Sequence, residues 1–432
     1  MNVCKACLFL LTFFFLTSNS RAQDTLRLGK MECEGIFLRE NLSLMAEKLN
    51  IPQAEAMVQQ AKLWPNPSLT LDQVNLWATK RQTLGQEVSP PLFGNFGRNQ
   101  QFAIEIEQLI QTAGKRKKLI ALEQVSVAQS EQYFEDLLRN LKLEFRKQLT
   151  QLQYLQFNKR IFQQQLGSIG ELTQAYEQQV SHGNVPKGEY IRLKAQQLEI
   201  AKNINVLNKE ANEAQKQLKL LMHLPPDSEL IIKDEGFSKQ LGSADTLGLN
   251  KLLSKANENR PDLKLSKLEE DYYHKLYTYE KAQRVPDFSL IGSYDRNGST
   301  MLDFVGFGVA MDLPIFNRNQ GKIKHAQLAQ AKANLLAQQS THSIANEIAL
   351  SYQNFLNAIN FRQGISADYE SDLDKLLISY TENFKNRNIG MLEYLDFMDA
   401  YLDNKKTILD AIKEVNDMAE ELNYAVGNDV VK

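Results

Sequence analysis

"VAMDLPIFNRNQGKIKHAQ", residues 309–327, begins as a two-residue alternation and ends as a helix, with Pro314, Asn317, Arg318, Asn319 and Gly321 at the change. Upstream and into this stretch, Val305, Phe307, Val309 and Met311 alternate with Phe304, Gly306, Gly308 and Ala310, the pattern of an antiparallel strand with one apolar face. Its length suits a strand of about 9–11 residues crossing a bilayer, although a strand of a soluble sandwich alternates in the same way. All eleven prolines lie at or before Pro314, so nothing interrupts a helix beyond it.

The abrupt change is explained by what lies elsewhere in the chain. Shifted by 204 positions, "YEQQVSHGNVPKGEYIRLKAQ" (176–196) falls on "YTENFKNRNIGMLEYLDFMDA" (380–400), matching Tyr176 to Tyr380, Asn184 to Asn388, Glu189 to Glu393 and Tyr190 to Tyr394. The same offset places Leu109 on Leu313 and Lys118 on Lys322. Upstream the offset becomes 221, where "AKLWPNPSL" (61–69) matches "AQRVPDFSL" (282–290), which leaves a 17-residue surplus between Leu71 and Phe102. The chain is therefore a tandem repeat, each copy reading helix, strand, loop, strand, helix, tip, helix.

Pro65 and Pro286 stand at strand entries, where a missing N–H costs least. Strands are expected near 66–75, 101–111, 286–295 and 302–313. Phe102, Ile104 and Ile106 alternate with Ala103, Glu105 and Glu107 on one return strand. No proline lies between Pro91 and Pro186, so very long helices are expected over about 114–182 and 321–386, each a rod of roughly 100 Å at ~1.5 Å per residue. Cys33 to Leu63 reads as one further helix. Leu137, Leu141, Phe145, Leu149 and Leu152 form one apolar stripe, widened by Leu138, Tyr154 and Leu155. A helix of this kind touches neighbours on both sides.

Residues 1–22 read as a signal peptide, with Lys5, the apolar "LFLLTFFFLT" and Ser20-Arg21-Ala22 before the cleavage point. Two repeats are expected at 23–224 and 249–432, joined by a linker at 225–248 that opens on Pro225-Pro226. Without the signal, 48 basic face 52 acidic side chains, counted by removing Lys5 and Arg21, and nothing in this balance favours nucleic acid. Cys33 is left alone, so no disulfide framework is expected. His182, His223, His274, His325 and His342 show no ligand spacing. With no nucleophile, zincin or phosphate-loop motif, the chain reads as no enzyme, with no cofactor and no resident metal.

The tandem repeat, "NRPDL" (259–263), "VPDFSL" (285–290) and above all "LPIFNRNQGKIKHA" (313–326) resemble the TolC-like outer-membrane efflux channels, and within them the cobalt, zinc and cadmium resistance branch. The resemblance covers essentially the whole mature chain. It implies a mainly α protein with a membrane β-barrel: long helical hairpins forming a periplasmic α-barrel, and four strands per protomer contributing to a twelve-stranded trimeric barrel in the outer membrane. Physical reasoning agrees that four strands do not suffice, since membrane barrels have at least about eight and an open edge in lipid strands unpaired backbone groups.

The implied function is a passive conduit for exported heavy-metal cations, working with a periplasmic adaptor and an inner-membrane RND transporter. Multidrug or type I protein export, and a secreted coiled-coil scaffold without a pore, remain as alternatives. The tips at 182–188 and 386–391 carry Gly183, Asn184, Val185, Arg387, Asn388 and Ile389, whose glycines and asparagines suit tight turns; the family docks the adaptor there. Glu393 and Asp396 share one helix face with Asp399 a turn on, and the family places an acidic aperture at this level, with Glu189 the first-copy counterpart. Arg387 stands where the tip glycine is usual, and an Arg387–Glu189 ion pair is expected to hold the entrance shut. The run Lys115-Arg116-Lys117-Lys118 is expected to form a water-facing ring at the barrel base.

Overall fold

The computed structural model describes residues 25–233, 236–237, 248–298 and 301–431; the expected signal peptide and residues 234–235 and 238–247 of the expected linker lie outside the described residues. In chain order the elements are β1 (Thr25–Leu28), α1 (Lys30–Glu40), α2 (Leu42–Lys48), α3 (Asn50–Lys62), β2 (Ser68–Asn75), β3 (Gln101–Ile110), α4 (Lys115–Ser181), α5 (Lys187–Met222), β4 (Glu229–Ile232), α6 (Leu249–Asn259), α7 (Pro261–Ala282), β5 (Phe288–Arg296), β6 (Asp303–Met311), α8 (Gln320–Gln363), α9 (Ala367–Lys385) and α10 (Met391–Val426). They fall into two compact units. The first comprises the chain up to Ala46, Glu135–Arg260 and the chain from Ser343 on; the second comprises Glu47–Phe134 and Pro261–His342.

The second unit carries a four-stranded antiparallel sheet in the order β2-β3-β5-β6. Its register sorts side chains by face. Leu71 lies opposite Ile104, Ile104 opposite Tyr294 and Tyr294 opposite Val305, while Leu69, Ile106, Gly292 and Phe307 form the next row. Directly opposed residues point to the same side, so one face is apolar. The other collects Thr70, Glu105, Ser293 and Gly306. At the Phe307 row the apolar face is left uncovered, with Phe307 91% exposed, and β2 and β6 are open edges. The helices of this unit, α3, α7 and the first turns of α4 and α8, all join the strands at the end opposite the 76–100 and 297–302 connections.

The first unit is helical. Phe145, Leu149, Leu152 and Leu155 of α4 are buried, with Phe37 of α1 stacked on Phe145 at 4.6 Å. A stripe through α10, from Tyr394 and Met398 to Leu422 and Val426, is buried as well. Among the polar residues, Arg146 is held by Glu420 (2.8 Å), Asp429 (2.8 Å) and Glu34 (3.1 Å). The "NRPDL" segment has a clear purpose. Arg260 is buried at the end of α6, pairs with Glu347 at 2.8 Å and donates from Nη1 to the Ala425 carbonyl at 2.7 Å, so its charge sits on the C-terminal end of α10 where the helix dipole favours a cation. Gly427 follows with φ +74, and a Cβ there would meet the Arg260 backbone at 3.2 Å. Pro261 then opens α7 at the helix position that needs no N–H.

Three expectations are corrected. The second long helix is not continuous: α8 stops at Gln363 and α9 begins at Ala367, because Gly364 weakens the ladder and Ser366 caps the new helix by accepting from the Tyr369 N–H at 3.2 Å. The expected 33–63 helix is three, with a first break at buried Asn41. Its side chain accepts from the Leu44 N–H at 2.9 Å and donates to the Leu221 carbonyl at 2.8 Å, drawing the backbone out of the helix. The basic run faces water only in part: Lys115 is buried against Asp287 at 2.8 Å and the Arg116 guanidinium lies 3.7 Å from the Trp64 ring centroid, while Lys117 is exposed. A further element had no counterpart in the reading, the parallel pair of β1 with β4. Among the described residues no helix is long and apolar enough to cross a membrane.

Candidate functional site

Both tips fold by the same set of bonds. At the end of α4, the Gly183 N–H donates to the Val180 carbonyl (3.0 Å) and the Asn184 N–H to the Gln179 carbonyl (2.9 Å). At the end of α9, 204 positions on, the Arg387 N–H donates to Phe384 (3.0 Å) and the Asn388 N–H to Asn383 (2.9 Å). This is the Schellman closure, with its obligatory left-handed residue. Gly183 has φ +74 and Arg387 φ +61. Each asparagine adds a side-chain bond: Asn184 Nδ2 donates to Gln179 Oε1 and Asn388 Nδ2 to Asn383 Oδ1, both at 3.0 Å. Gly183, Asn184, Arg387 and Asn388 are exposed, while Val185 and Ile389 are half-buried. Apolar side chains are thus offered at the turns with polar neighbours around them.

The left-handed conformation costs a side-chain-bearing residue about 1–2 kcal/mol, and Arg387 bears that cost where Gly183 does not. Arg387→Gly is therefore expected to tighten the second tip by a net ~1 kcal/mol after the extra chain entropy of glycine. Exchange of the Asn388 amide hydrogen should slow about fivefold; an unchanged or faster rate would show that the arginine side chain holds the turn.

Behind the tips, aromatic rings brace one hairpin on the other. Tyr176 of α4 stacks on Phe384 of α9 at 5.6 Å, Phe384 stacks on Tyr394 of α10 at 4.6 Å, and Tyr380 stacks on Phe397 at 4.0 Å. The Arg387–Glu189 ion pair expected from the sequence does not form within a chain. Both charges act instead on the Tyr176 hydroxyl, whose pKa is raised by burial and by Glu189 and lowered by Arg387. Stacked rings, not an ion pair, occupy the junction.

The acidic residues run up the exposed side of α10. Glu393, Asp396 and Asp399 are exposed and Glu189 is half-buried. Gln196 of α5 donates from Nε2 to Asp399 Oδ1 at 2.6 Å, which ties the two hairpins together at this level. Desolvation raises the Asp399 pKa against that bond, and Asp403, Asp396 and Glu199 raise it further. Asp403 and Glu199 were missed in the sequence; the signal for Asp403 was its helical spacing of seven from Asp396, while Glu199 lies on another helix. Together these groups form a strip of negative potential beside the tips.

The strand–helix transition is fixed by Asn319, at φ +56. Its Nδ2 donates to Glu280 Oε2 (2.6 Å) and to the Glu280 carbonyl (2.9 Å), and its carbonyl accepts the Ile323 N–H (3.0 Å). Asn317 Oδ1 accepts from the Asn319 N–H (3.1 Å), and Arg318 Nε donates to the Ile315 carbonyl (3.2 Å). Pro65, Pro286 and Pro314 are half-buried at their turns, and Gly321 is exposed in the first turn of α8. "FNRNQGK" is thus a folded corner that launches a helix.

Comparison with known proteins completes this picture. The family model described as outer membrane efflux protein matches residues 36–222 and 252–371. The cobalt-zinc-cadmium resistance protein CzcC of Cupriavidus metallidurans is 29% identical over 171 residues, which is 38% of this chain and 39% of that relative's own length. A membrane protein from Pseudomonas aeruginosa superimposes with a TM-score of 0.71 at 15% identity over 94% of each chain. The MtrE outer membrane channel of Neisseria gonorrhoeae, in its open state, gives 0.71 at 15% identity over 92% of this chain and 88% of that one.

Proposed function

The chain belongs to the outer membrane efflux protein family, and from that premise we propose that three copies close one barrel and one tunnel, through which an inner-membrane RND transporter and a periplasmic adaptor expel heavy-metal cations. The protein is an outer-membrane efflux channel with a periplasmic extension, a passive conduit and not an enzyme. The observation that carries the trimer is the sheet itself. Four strands with two open edges and an uncovered apolar face satisfy neither backbone nor side chains in lipid, whereas three such sheets supply about twelve strands, above the minimum of about eight.

The cation reading rests on Glu393, Asp396, Asp399 and Asp403, which threefold symmetry would arrange as stacked carboxylate rings near the tips. Such rings concentrate cations and repel anions. The likeness to CzcC supports metal cargo in particular. Val185 and Ile389 within the exposed polar tips suit a helical adaptor surface.

The test is conductance of the purified protein in a planar bilayer. Glu393→Gln with Asp396→Asn should lower the cation-to-anion permeability ratio about two- to fivefold without closing the channel. Because burial raises the Asp399 pKa, this carboxylate takes up its proton at higher pH than an ordinary aspartate as pH falls, and cation preference should begin to decline there; Asp399→Asn should move the onset to lower pH. An anion-preferring pore in the wild type would end the cation reading while leaving the channel intact.

A further inference from the structure

The first-copy surplus of 17 residues lies in the 76–100 connection, and the structure shows where that connection sits. Arg296, the last residue of β5, is buried beneath it and donates from Nε to the Gly97 carbonyl (3.3 Å), from Nη2 to the Pro90 carbonyl and from Nη1 to Asp303 Oδ1 (2.5 Å). Ser89 Oγ, also buried, donates to the same Gly97 carbonyl at 3.0 Å. Gly97 has φ +90, and a Cβ there would meet Leu92 at 3.0 Å and Arg296 Nε at 3.2 Å. The loop is seated on one guanidinium.

The seat identifies the side of the sheet. Phe93 stacks on Phe96 at 5.0 Å, Phe96 lies 5.9 Å from Phe102 and Phe102 lies 6.1 Å from Tyr294. Phe102 and Arg296 are directly opposed, and two-residue alternation places them on the same face as the Ile104–Tyr294–Val305 row and the Ile106–Gly292–Phe307 row. The loop thus folds onto the apolar face and not onto the face of Thr70, Glu105 and Ser293. A loop that plugged a pore would pack on the polar face.

What the loop exposes continues the apolar face and then changes its chemistry. Trp77 is 83% exposed, Leu84 86% and Phe93 70%. Lys80 and Arg81 are exposed beside them, and Glu87 has its nearest cation in Arg98 at 3.8 Å. Aromatic side chains with adjacent cations, placed where an apolar band ends, suit the layer between acyl chains and charged headgroups. This edge is also the one remote from the helix attachments, hence the outer leaflet.

We propose that the 76–100 loop is an outer-leaflet anchor, with Trp77, Leu84 and Phe93 in the headgroup layer and Lys80 and Arg81 on the phosphates of an anionic lipid. The proposal rests on the apolar face being lipid-facing. Its occupant is the lipid surface that the face below it already requires.

The experiment uses the full chain carrying Trp64→Phe, so that Trp77 is the sole tryptophan, reconstituted in phosphatidylcholine vesicles with and without lipid A. Trp77 should be quenched by lipids brominated high on the acyl chain and shielded from aqueous acrylamide, more so with lipid A. Each basic residue contributes a factor of about five to docking on an anionic surface, so Lys80→Gln with Arg81→Gln should abolish the lipid A increment. Gly97→Val, which unseats the loop, should open Trp77 to acrylamide. A companion chain with Trp64→Phe, Trp77→Phe and Phe307→Trp reports the sheet. Quenching of the sheet reporter by brominated lipid, with Trp77 fully open to acrylamide in both vesicles, overturns the anchor and leaves the membrane channel standing. Failure of both reporters to meet lipid overturns the lipid-facing assignment as well.

Discussion

Arg146→Met is expected to destabilise the helical unit by about 3 kcal/mol, at the lower end of the ~3–5 kcal/mol that removal of one partner from a buried ion network costs. The arginine joins Glu34 of α1, Glu420 of α10 and Asp429 of the C-terminal tail on a single guanidinium of α4. Removing it leaves three carboxylates facing one another. Lys142, 3.0 Å from Asp429, and Lys30, 3.2 Å from Glu420, remain to offset part of that repulsion, hence the lower figure. Thermal unfolding followed by far-ultraviolet circular dichroism would register the change. Adding Glu420→Gln to Arg146→Met should recover part of the loss, since one stranded charge is removed with its partner. The network also sets an acid limit. Burial alone would raise the Asp429 pKa, but the bonds from Arg146 and Lys142 hold it down to about 2. A depressed carboxylate stabilises fully above its unfolded value of about 3.9 and loses that contribution as pH falls through its folded value. Stability should therefore drop between pH ~4 and ~2, and less steeply in Arg146→Met. No difference between the two acid profiles would mean that the network carries no net stability.

Interactions between neighbours in the chain were legible, and those between distant positions were not. The alternation through Phe102, Ile104 and Ile106, or Val305, Phe307 and Val309, is forced by a sheet with one apolar face, so the strands could be read directly, while the fold class came from the family resemblance. The tips were visible in Gly183, Asn184 and Asn388, because few residues tolerate the left-handed closure. Arg387 adopts it all the same, since the bonds to Phe384 and Asn383 fix the backbone whatever the side chain. The break at Gly364 was harder to see, as a lone glycine lowers helix stability by only ~1 kcal/mol and the Ser366 cap decides the matter. Lys115 reads as a surface charge until Asp287 is brought to it by the pairing of β3 with β5. The seat of the 76–100 loop on Arg296 was equally hidden. Its length could be counted from the repeat, but its partner lies about 200 positions on. Strands of four residues such as β1 and β4 have too few side chains to show any period.

Phe307→Lys, by contrast, should leave the helices untouched and abolish the assembled channel. Phe307 is central in β6, opposite Gly292, and 91% exposed in the single chain. On a lipid-facing barrel surface a lysine near the bilayer midplane costs about 2–4 kcal/mol, and in the proposed trimer that cost applies three times, about 6–12 kcal/mol on the same scale. That is comparable to the whole stability of a folded domain, about 5–15 kcal/mol. Thr70→Lys is the matched control, the same charge on the opposite face of the same sheet, where Glu105 stands directly across and a lysine gains a partner. The proposed trimer, measured by its mass in detergent, and the protein in the outer-membrane fraction should be lost in Phe307→Lys and kept in Thr70→Lys. The two substitutions place the same charge in adjacent rows of the sheet on opposite faces of a ladder spaced by about 5 Å, so opposite outcomes assign the faces. If Phe307→Lys assembles as well as the parent, the apolar face is not against lipid, and the sheet must be covered by protein instead.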